Sequence, residues 1–258
     1  MGRVRAVILD WAGTTVDHGS LAPVRTLQSL FAAHGITVTE EEARRDMGIH
    51  KKDHIRELLR AKRGGPPDEP EVEKLFADFI PMQMDCLLAF SDVIAGVAAA
   101  VEELRGRGIK IGSTTGYTRP MLDLLLAQAA EQGYRPDCAL CPDDTVAGRP
   151  WPWMCYQNAI RLRVYPMHTM IKIGDTISDI EEGANAGMWT IGIARTGNMI
   201  GLTAEEVAVL PAAELSRRLD LARRKLREAG AHYVTDAVAD CLSFVERIEE
   251  RVARGERP

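Results

Sequence analysis

Short apolar runs that end in turn residues alternate with stretches of helical periodicity over most of the chain. The first run, Val4-Arg5-Ala6-Val7-Ile8-Leu9, stops at Asp10 and gives way to Trp11-Ala12-Gly13-Thr14-Thr15. It predicts a buried strand that presents a carboxylate at its C-terminal edge. Similar runs follow at "GIKIGSTTG" (108–116), "DCALC" (137–141), "MIKIGDT" (170–176) and "MWTIGIAR" (188–195). Strands alternating with helices predict an α/β fold, a parallel sheet sandwiched by helices, with its functional site at the C-terminal strand ends. Helix starts are marked by Thr118 with Pro120 in the first turn, and by capping boxes read at Ser178-x-x-Glu181 and Thr203-x-x-Glu206.

The alternation is interrupted between Leu21 and about Ala100, where no strand signal occurs. Leu21, Val24, Leu27, Leu30 and Phe31 recur at helical spacing up to Gly35. Thr39-x-x-Glu42 caps a second helix, "KKDHIRELLRAKR" forms a third that stops at Gly64, and "PEVEKLFADFIPMQMDCLL" forms a fourth that Pro81 is expected to kink. The pattern therefore predicts a core domain of residues 1–19 and 100–258, with an all-helical cap of residues 20–99 inserted over the strand end that carries Asp10.

Composition narrows the partners. Of the 258 residues, 46% are hydrophobic and 27% charged, enough apolar mass for a sizeable core. The net charge of −5 is spread over interspersed signs, which argues against nucleic-acid and membrane-surface roles and favours a small-molecule substrate. No apolar run approaches the roughly 20 residues of a membrane span, so a cytoplasmic protein is expected. Five cysteines make an odd count without a disulfide framework, and Cys138-x-x-Cys141 lacks the second pair or nearby histidine of a zinc site.

Asp10, "STTG" (113–116) and "GDTISD" (174–179) would meet at one edge of a parallel sheet. A carboxylate attacks phosphorus when a metal and N–H or cationic donors offset the repulsion between two anions. Asp175 and Asp179 offer oxygen ligands to a hard ion such as Mg²⁺. The Thr115 hydroxyl and the loop amides ahead of a helix suit phosphoryl oxygens, and Arg149 supplies further positive charge. Taken singly, each has an ordinary reading: a turn-forming aspartate, a structural turn, a surface arginine. Their occurrence together, in this order, carries the inference.

"VILDWAGTTVD", "STTG", Arg149 and "GDTISD" together resemble the haloacid dehalogenase superfamily, which implies a HAD-like Rossmannoid core. On that resemblance Asp10 is the nucleophile and a metal ligand, Ala12 lends its backbone carbonyl to the Mg²⁺, Asp175 is a ligand, and Asp179 holds the ion directly or through its neighbours. Most phosphatases of the superfamily carry a second aspartate two residues after the first, as general acid for an alcohol leaving group. Here that position is Ala12, so the leaving group must be activated in another way.

"MGIHKKDHIREL" in the cap supplies a candidate. A lysine that condenses with a carbonyl becomes an iminium, an electron sink able to stabilise a carbon leaving group. With an ordinary pKa of roughly 10.4, about one lysine in two thousand is neutral at pH 7, so the site must depress it. Burial and the like charges of Lys52 and Arg56 are expected to do so, with His54 shuttling protons. The ordinary reading of this stretch is a solvated amphipathic helix.

Extended over "MGIHKKDH", "IKIGSTTGYTR", "DDTVAGRPWPWMCY", "IKIGDTISDIEEGANAGMWTIG" and "EAGAHYV", the likeness covers nearly the whole chain and resembles the phosphonoacetaldehyde hydrolase family. That resemblance implies hydrolysis of a C–P bond to acetaldehyde and phosphate in 2-aminoethylphosphonate degradation, with Mg²⁺ and a Schiff-base lysine. The family pattern M-G-x-x-K-x-D-H selects Lys51 over Lys52. It also implies that Met47 and His54 line the site from the cap, that Thr115, Gly116, Tyr117 and Arg149 bind substrate, and that the protein is a homodimer through its cap. The chain departs from the pattern at Ser20, where the family often has cysteine. An ordinary phosphate-monoester phosphatase or phosphomutase is opposed by Ala12, and a metal-free dehalogenase by the Asp175/Asp179 pair. A binding protein that has lost catalysis is opposed by the joint presence of Asp10, Lys51, Arg149 and Asp175.

Overall fold

Six strands hydrogen-bond in parallel to form one sheet: β1 (Ala6–Leu9), β2 (Lys110–Thr114), β3 (Cys138–Leu140), β4 (Met170–Gly174), β5 (Trp189–Ile193) and β6 (Tyr233–Thr235). Their spatial order is β3-β2-β1-β4-β5-β6 in the computed structural model, which describes residues 3–258. β1, β4 and β5 are buried along their whole length, as central strands covered on both faces must be. β6 is the strand that the hydrophobic pattern did not reveal. At three residues it is too short to show alternation, and its pairing with Ile191–Ile193 defines it.

Register explains how distant motifs meet. Leu9 lies opposite Ser113 of β2 and Ile173 of β4. The residues that follow each partner therefore leave the same edge of the sheet side by side. The Asp10 amide donates to the Ile173 carbonyl at 2.9 Å, which extends this alignment one residue past β1.

Five α-helices lie between β1 and β2, and the first four are α1 (Leu21–Ala33), α2 (Glu40–Arg45), α3 (Lys51–Arg63) and α4 (Glu69–Leu87). They pack on one another, α1 against α2 and α4, and α3 against α4. The next helix, α5 (Val97–Gly106), packs against β2. Thr39 and Glu42 form the expected reciprocal cap of α2, with hydrogen bonds of 3.2 and 2.8 Å. α3 ends at Gly64, whose φ of +72° is the left-handed conformation glycine adopts most readily. α4 runs as one helix from Glu69 to Leu87 with Pro81 inside it, where the sequence predicts a kink. Its buried residues Val72, Leu75, Phe79, Gln83 and Leu87 hold one face against its neighbours on both sides of the proline.

The other helices flank the sheet: α6 (Arg119–Glu131), α7 (Trp153–Leu162), α8 (Ile177–Asn185), α9 (Ala204–Val209), α10 (Ala212–Glu228) and α11 (Leu242–Ala253). The Thr203/Glu206 box caps α9 as the sequence predicts. At α8 the expected box is displaced by two residues. Thr176, not Ser178, is the N-cap, and Asp179 is its reciprocal partner, because the Thr176 hydroxyl accepts the Asp179 amide. Ser178 instead donates to the Met47 carbonyl of the cap at 3.2 Å. Among the described residues no helix is long and apolar enough to cross a membrane.

Candidate active site

Asp10, Asp175 and Asp179 converge at the C-terminal edge of β1 and β4. Each offers one oxygen within 4.8 Å of the others, and all three are buried. Gly13 makes the convergence possible: its φ of +81° turns the chain after β1, and a side chain there would run into the Asp175 carboxylate. Asp175 accepts from the Thr14 hydroxyl at 3.0 Å and from the Asn198 amide at 2.7 Å. Asp179 is drawn back by the cap of α8, accepting from the Thr176 amide at 3.2 Å.

Arg149 joins the cluster. Its guanidinium, almost completely buried, lies 2.8 Å from Asp10, 3.0 Å from Asp179 and 2.9 Å from Glu182, and donates to the Thr114 carbonyl at 2.7 Å. The sequence pointed to Arg149 as the source of positive charge at the sheet edge and not to Lys172. Lys172 is wholly buried, paired with Asp179 and 3.5 Å from Glu182. A lysine at the centre of "MIKIG", in a strand buried on both faces, was a legible signal, because an ammonium is seldom buried unpaired. Glu182 is equally buried and binds the Thr114 hydroxyl at 2.9 Å.

These charges set the titration of the carboxylates. Burial, then the Asp179 charge, pushes Asp10 upward, and burial with the charges of Asp10 and Asp179 pushes Asp175 well up. Burial acts the same way on Asp179, but Arg149 and Lys172 outweigh it and hold that carboxyl below its usual range. Among the described residues neither lysine nor arginine pairs with Asp175. Three converging oxygens, one belonging to a buried carboxylate without a cationic partner, fit a hard divalent cation such as Mg²⁺.

The cap completes the site. α3 buries Lys51, His54, Ile55, Leu58 and Leu59, the stripe expected of an amphipathic helix, except that its first two members are polar. Lys51 is only 3% exposed and lines a cavity together with Asp10, Ala12, Thr115, Tyr117 and Arg149. Its Nζ lies 5.3 Å from the centre of the Tyr117 ring and 3.7 Å from the Met47 sulfur. Lys52 points away and pairs with Glu73 of α4.

Burial depresses the Lys51 pKa to about 8, with Asp10 opposing and Arg149 reinforcing the shift. The repelling charge is thus Arg149, and not Lys52 and Arg56 as the sequence suggested. Arg56 is occupied by Glu69 and Asp53. His54 is fully buried with neither ring nitrogen bonded among the described residues, held neutral first by burial and then by the Lys51 charge, and it stands outside the residues that line the cavity.

Met47, Gly116 and Ser20 also line the cavity. The Tyr117 hydroxyl is buried without a partner among the described residues, and burial with nearby carboxylates keeps the phenol protonated. Cap and core touch closely here, since a Cβ on Gly116 would come within 2.7 Å of the Gly48 carbonyl. The free space is about 20 Å³, room for about one water.

A buried carboxylate trio at the end of a Rossmannoid sheet, facing a lysine from a helical insertion, defines a class of hydrolase. The chain belongs to the haloacid dehalogenase-like hydrolase family, whose model matches residues 4–187. It is 47% identical to phosphonoacetaldehyde hydrolase of Nitratidesulfovibrio vulgaris, over all of this chain and 95% of that protein. It is 45% identical to the protein of the same name in Bacillus cytotoxicus, over 96% of this chain and 98% of that one. A solved structure, a phosphonoacetaldehyde hydrolase-like protein from Oleispira antarctica, superposes with a TM-score of 0.96 at 41% identity, covering all of this chain and 96% of that one.

Proposed function

We propose that this protein hydrolyses the C–P bond of phosphonoacetaldehyde, releasing acetaldehyde and phosphate in the breakdown of 2-aminoethylphosphonate. The observation that carries the reading is the placement of a buried lysine, Lys51, in one cavity with Asp10 while position 12 is an alanine. An alcohol leaving group would need an acid there. A carbon leaving group needs an electron sink, which a lysine imine provides. Relatives 45% to 47% identical over nearly full length bear the corresponding name.

In this reading the neutral Lys51 amine condenses with the aldehyde and releases water. Tyr117, with its unpartnered phenol, donates to the carbonyl oxygen as the amine adds. Proton transfers in imine formation fall to Tyr117 and water, since His54 stands outside the cavity lining. The Asp10 carboxylate then attacks phosphorus in line. The C–P bond breaks, and its electron pair enters the iminium to give an enamine on Lys51. Water hydrolyses the aspartyl-phosphate to phosphate, the enamine takes up a proton at carbon, and hydrolysis of the resulting imine frees acetaldehyde and Lys51.

Arg149, Thr115 and the loop amides at Gly116 bind the phosphoryl oxygens. Asp10, Asp175, Asp179 and the Ala12 carbonyl would hold Mg²⁺, which when bound would supply the positive charge that lets two anions approach. The buried groups suit this assembly. In formal charge Asp10, Asp175, Asp179 and Glu182 exceed Arg149, Lys172 and Lys51 by one, and a divalent cation, which favours the ionised carboxylates, would reverse that sign ahead of an anionic substrate. Residues 20–99 act as the cap that delivers Lys51, and the protein pairs through this cap as a homodimer, a state that light scattering tests.

The decisive experiment incubates the protein with phosphonoacetaldehyde and Mg²⁺, follows both products, and traps the imine with borohydride for peptide mapping. Equimolar products with the label on Lys51, both lost in Lys51→Arg and kept in Lys52→Arg, are expected. Absence of turnover, with phosphate released from simple phosphate esters instead, would replace this reading with that of a monoesterase.

A further inference from the structure

The closed cavity raises the question of what fastens the cap and whether the metal carboxylates sense it. Arg44, at the end of α2, bridges three segments. Its Nη1 donates to the Gly19 carbonyl at 2.9 Å, and to the carbonyl and side-chain oxygens of Asn198 at 3.2 and 3.1 Å. Its Nη2 donates to the Gly201 carbonyl at 3.1 Å, and its Nε to Glu40 at 2.8 Å. Asn198 answers by donating its side-chain amide to the Arg44 carbonyl at 3.0 Å.

Two features tie this junction to the site. Gly19 belongs to the segment entering the cap, where Asp17, Gly19 and Ser20 all have positive φ, an arrangement that only a well-determined surrounding maintains. Asn198, through its backbone amide, is one of only two hydrogen-bond donors recorded to Asp175 among the described residues. The loop has little slack between these contacts. A Cβ on Gly201 would lie 2.6 Å from the Arg44 guanidinium carbon, and one on Gly197 would lie 2.5 Å from the Asp175 Cβ. Arg44 and Asn198 also line a cap–core groove of about 1120 Å³ whose inner end, Met47 and Thr176, is shared with the catalytic cavity.

We infer that Arg44 and Asn198 are positioning residues that couple cap closure to the metal site through the Asn198–Asp175 hydrogen bond. When the cap swings away, Arg44 leaves Asn198, the 197–201 loop loses its outer support, and Asp175 loses a defined orientation. Coupling of this kind is reciprocal, so cation binding at Asp175 must favour the closed cap as much as the closed cap favours the cation. The inference rests on the proposed metal site and leaves the identity of the substrate open.

The test needs no turnover. Mg²⁺ affinity is measured by calorimetry, and cap closure by the rate at which an amine-reactive reagent labels Lys51, read by peptide mass spectrometry. For the wild type, Mg²⁺ should bind and slow Lys51 labelling. In Arg44→Met and Asn198→Ala the Mg²⁺ dissociation constant should rise about tenfold and the protection of Lys51 by Mg²⁺ should vanish. The double variant should be no worse than either single one, because both remove the same link. Arg45→Met, whose side chain is exposed and among the described residues pairs only with Asp46, serves as control and should match the wild type. If Mg²⁺ binds the wild type and both single variants equally and protects Lys51 in all three, the coupling is refuted while the metal site stands. If Mg²⁺ does not bind the wild type, the metal site and this inference fall together.

Discussion

Burying Lys51 costs stability, and the size of that cost follows from its titration. Between its ordinary 10.5 and the buried value of about 8, at about 1.4 kcal/mol per pH unit, the folded protein is penalised by roughly 3 kcal/mol at pH 7 for keeping the ammonium. Lys51→Met replaces the charge by an apolar chain of similar length, in a wall that already contains Met47. The variant should be inactive yet more stable than the wild type by up to about 3 kcal/mol at pH 7.

The sign fixes the pH dependence. The folded pKa is depressed, so between pH 8 and 10.5 the unfolded chain holds a proton that the native protein has released, and wild-type stability climbs with pH across this window. The advantage of Lys51→Met should therefore shrink to about 1 kcal/mol at pH 9.5 and disappear above about 10.5. Urea unfolding of both proteins at pH 7 and 9.5 measures it. Equal stability at pH 7, or a difference that does not change with pH, would show that the Lys51 ammonium is not desolvated and would remove the basis for its reactivity. Active-site lysines bring this conflict with them, because the desolvation that frees the amine also strains the fold.

Three further outcomes are expected. Asp10→Ala should still form the imine, so borohydride with substrate should label Lys51 while neither product appears; failure to label would reverse the proposed order of steps. Gly116→Ala puts a methyl group against the Gly48 and Ile49 carbonyls, holding the cap open, so turnover should fall at least tenfold and Lys51 should label faster with amine reagents. Asp175→Asn should weaken Mg²⁺ binding at least tenfold by calorimetry, with the fold unchanged by circular dichroism, since Thr14 and Asn198 hold that side chain in place.

The sequence by itself determined the parallel α/β core, the helical insertion and the three strand ends that carry Asp10, Thr115 and Asp175, because strand and helix periods are local signals and the C-terminal edge of a parallel sheet is where such ends must meet. The family resemblance pointed to Lys51 in place of Lys52, and the packing of α3 buries positions 51, 54, 55, 58 and 59 while 52 falls outside that stripe. Other features depended on packing between segments far apart in the chain. β6 exists because β5 offers it an edge, and Thr176 caps α8 because Asp179 folds back on it. Lys172 and Glu182 enter the charge cluster only once β4 and α8 lie together, and Arg149 reaches both Asp10 and Asp179 only across the assembled edge. Charge at a site is a property of three-dimensional neighbours, and burial sets how strongly those neighbours act. For that reason the chain offered a candidate lysine, while only the tertiary structure decided that desolvation and Arg149, and not the adjacent Lys52 and Arg56, depress its pKa.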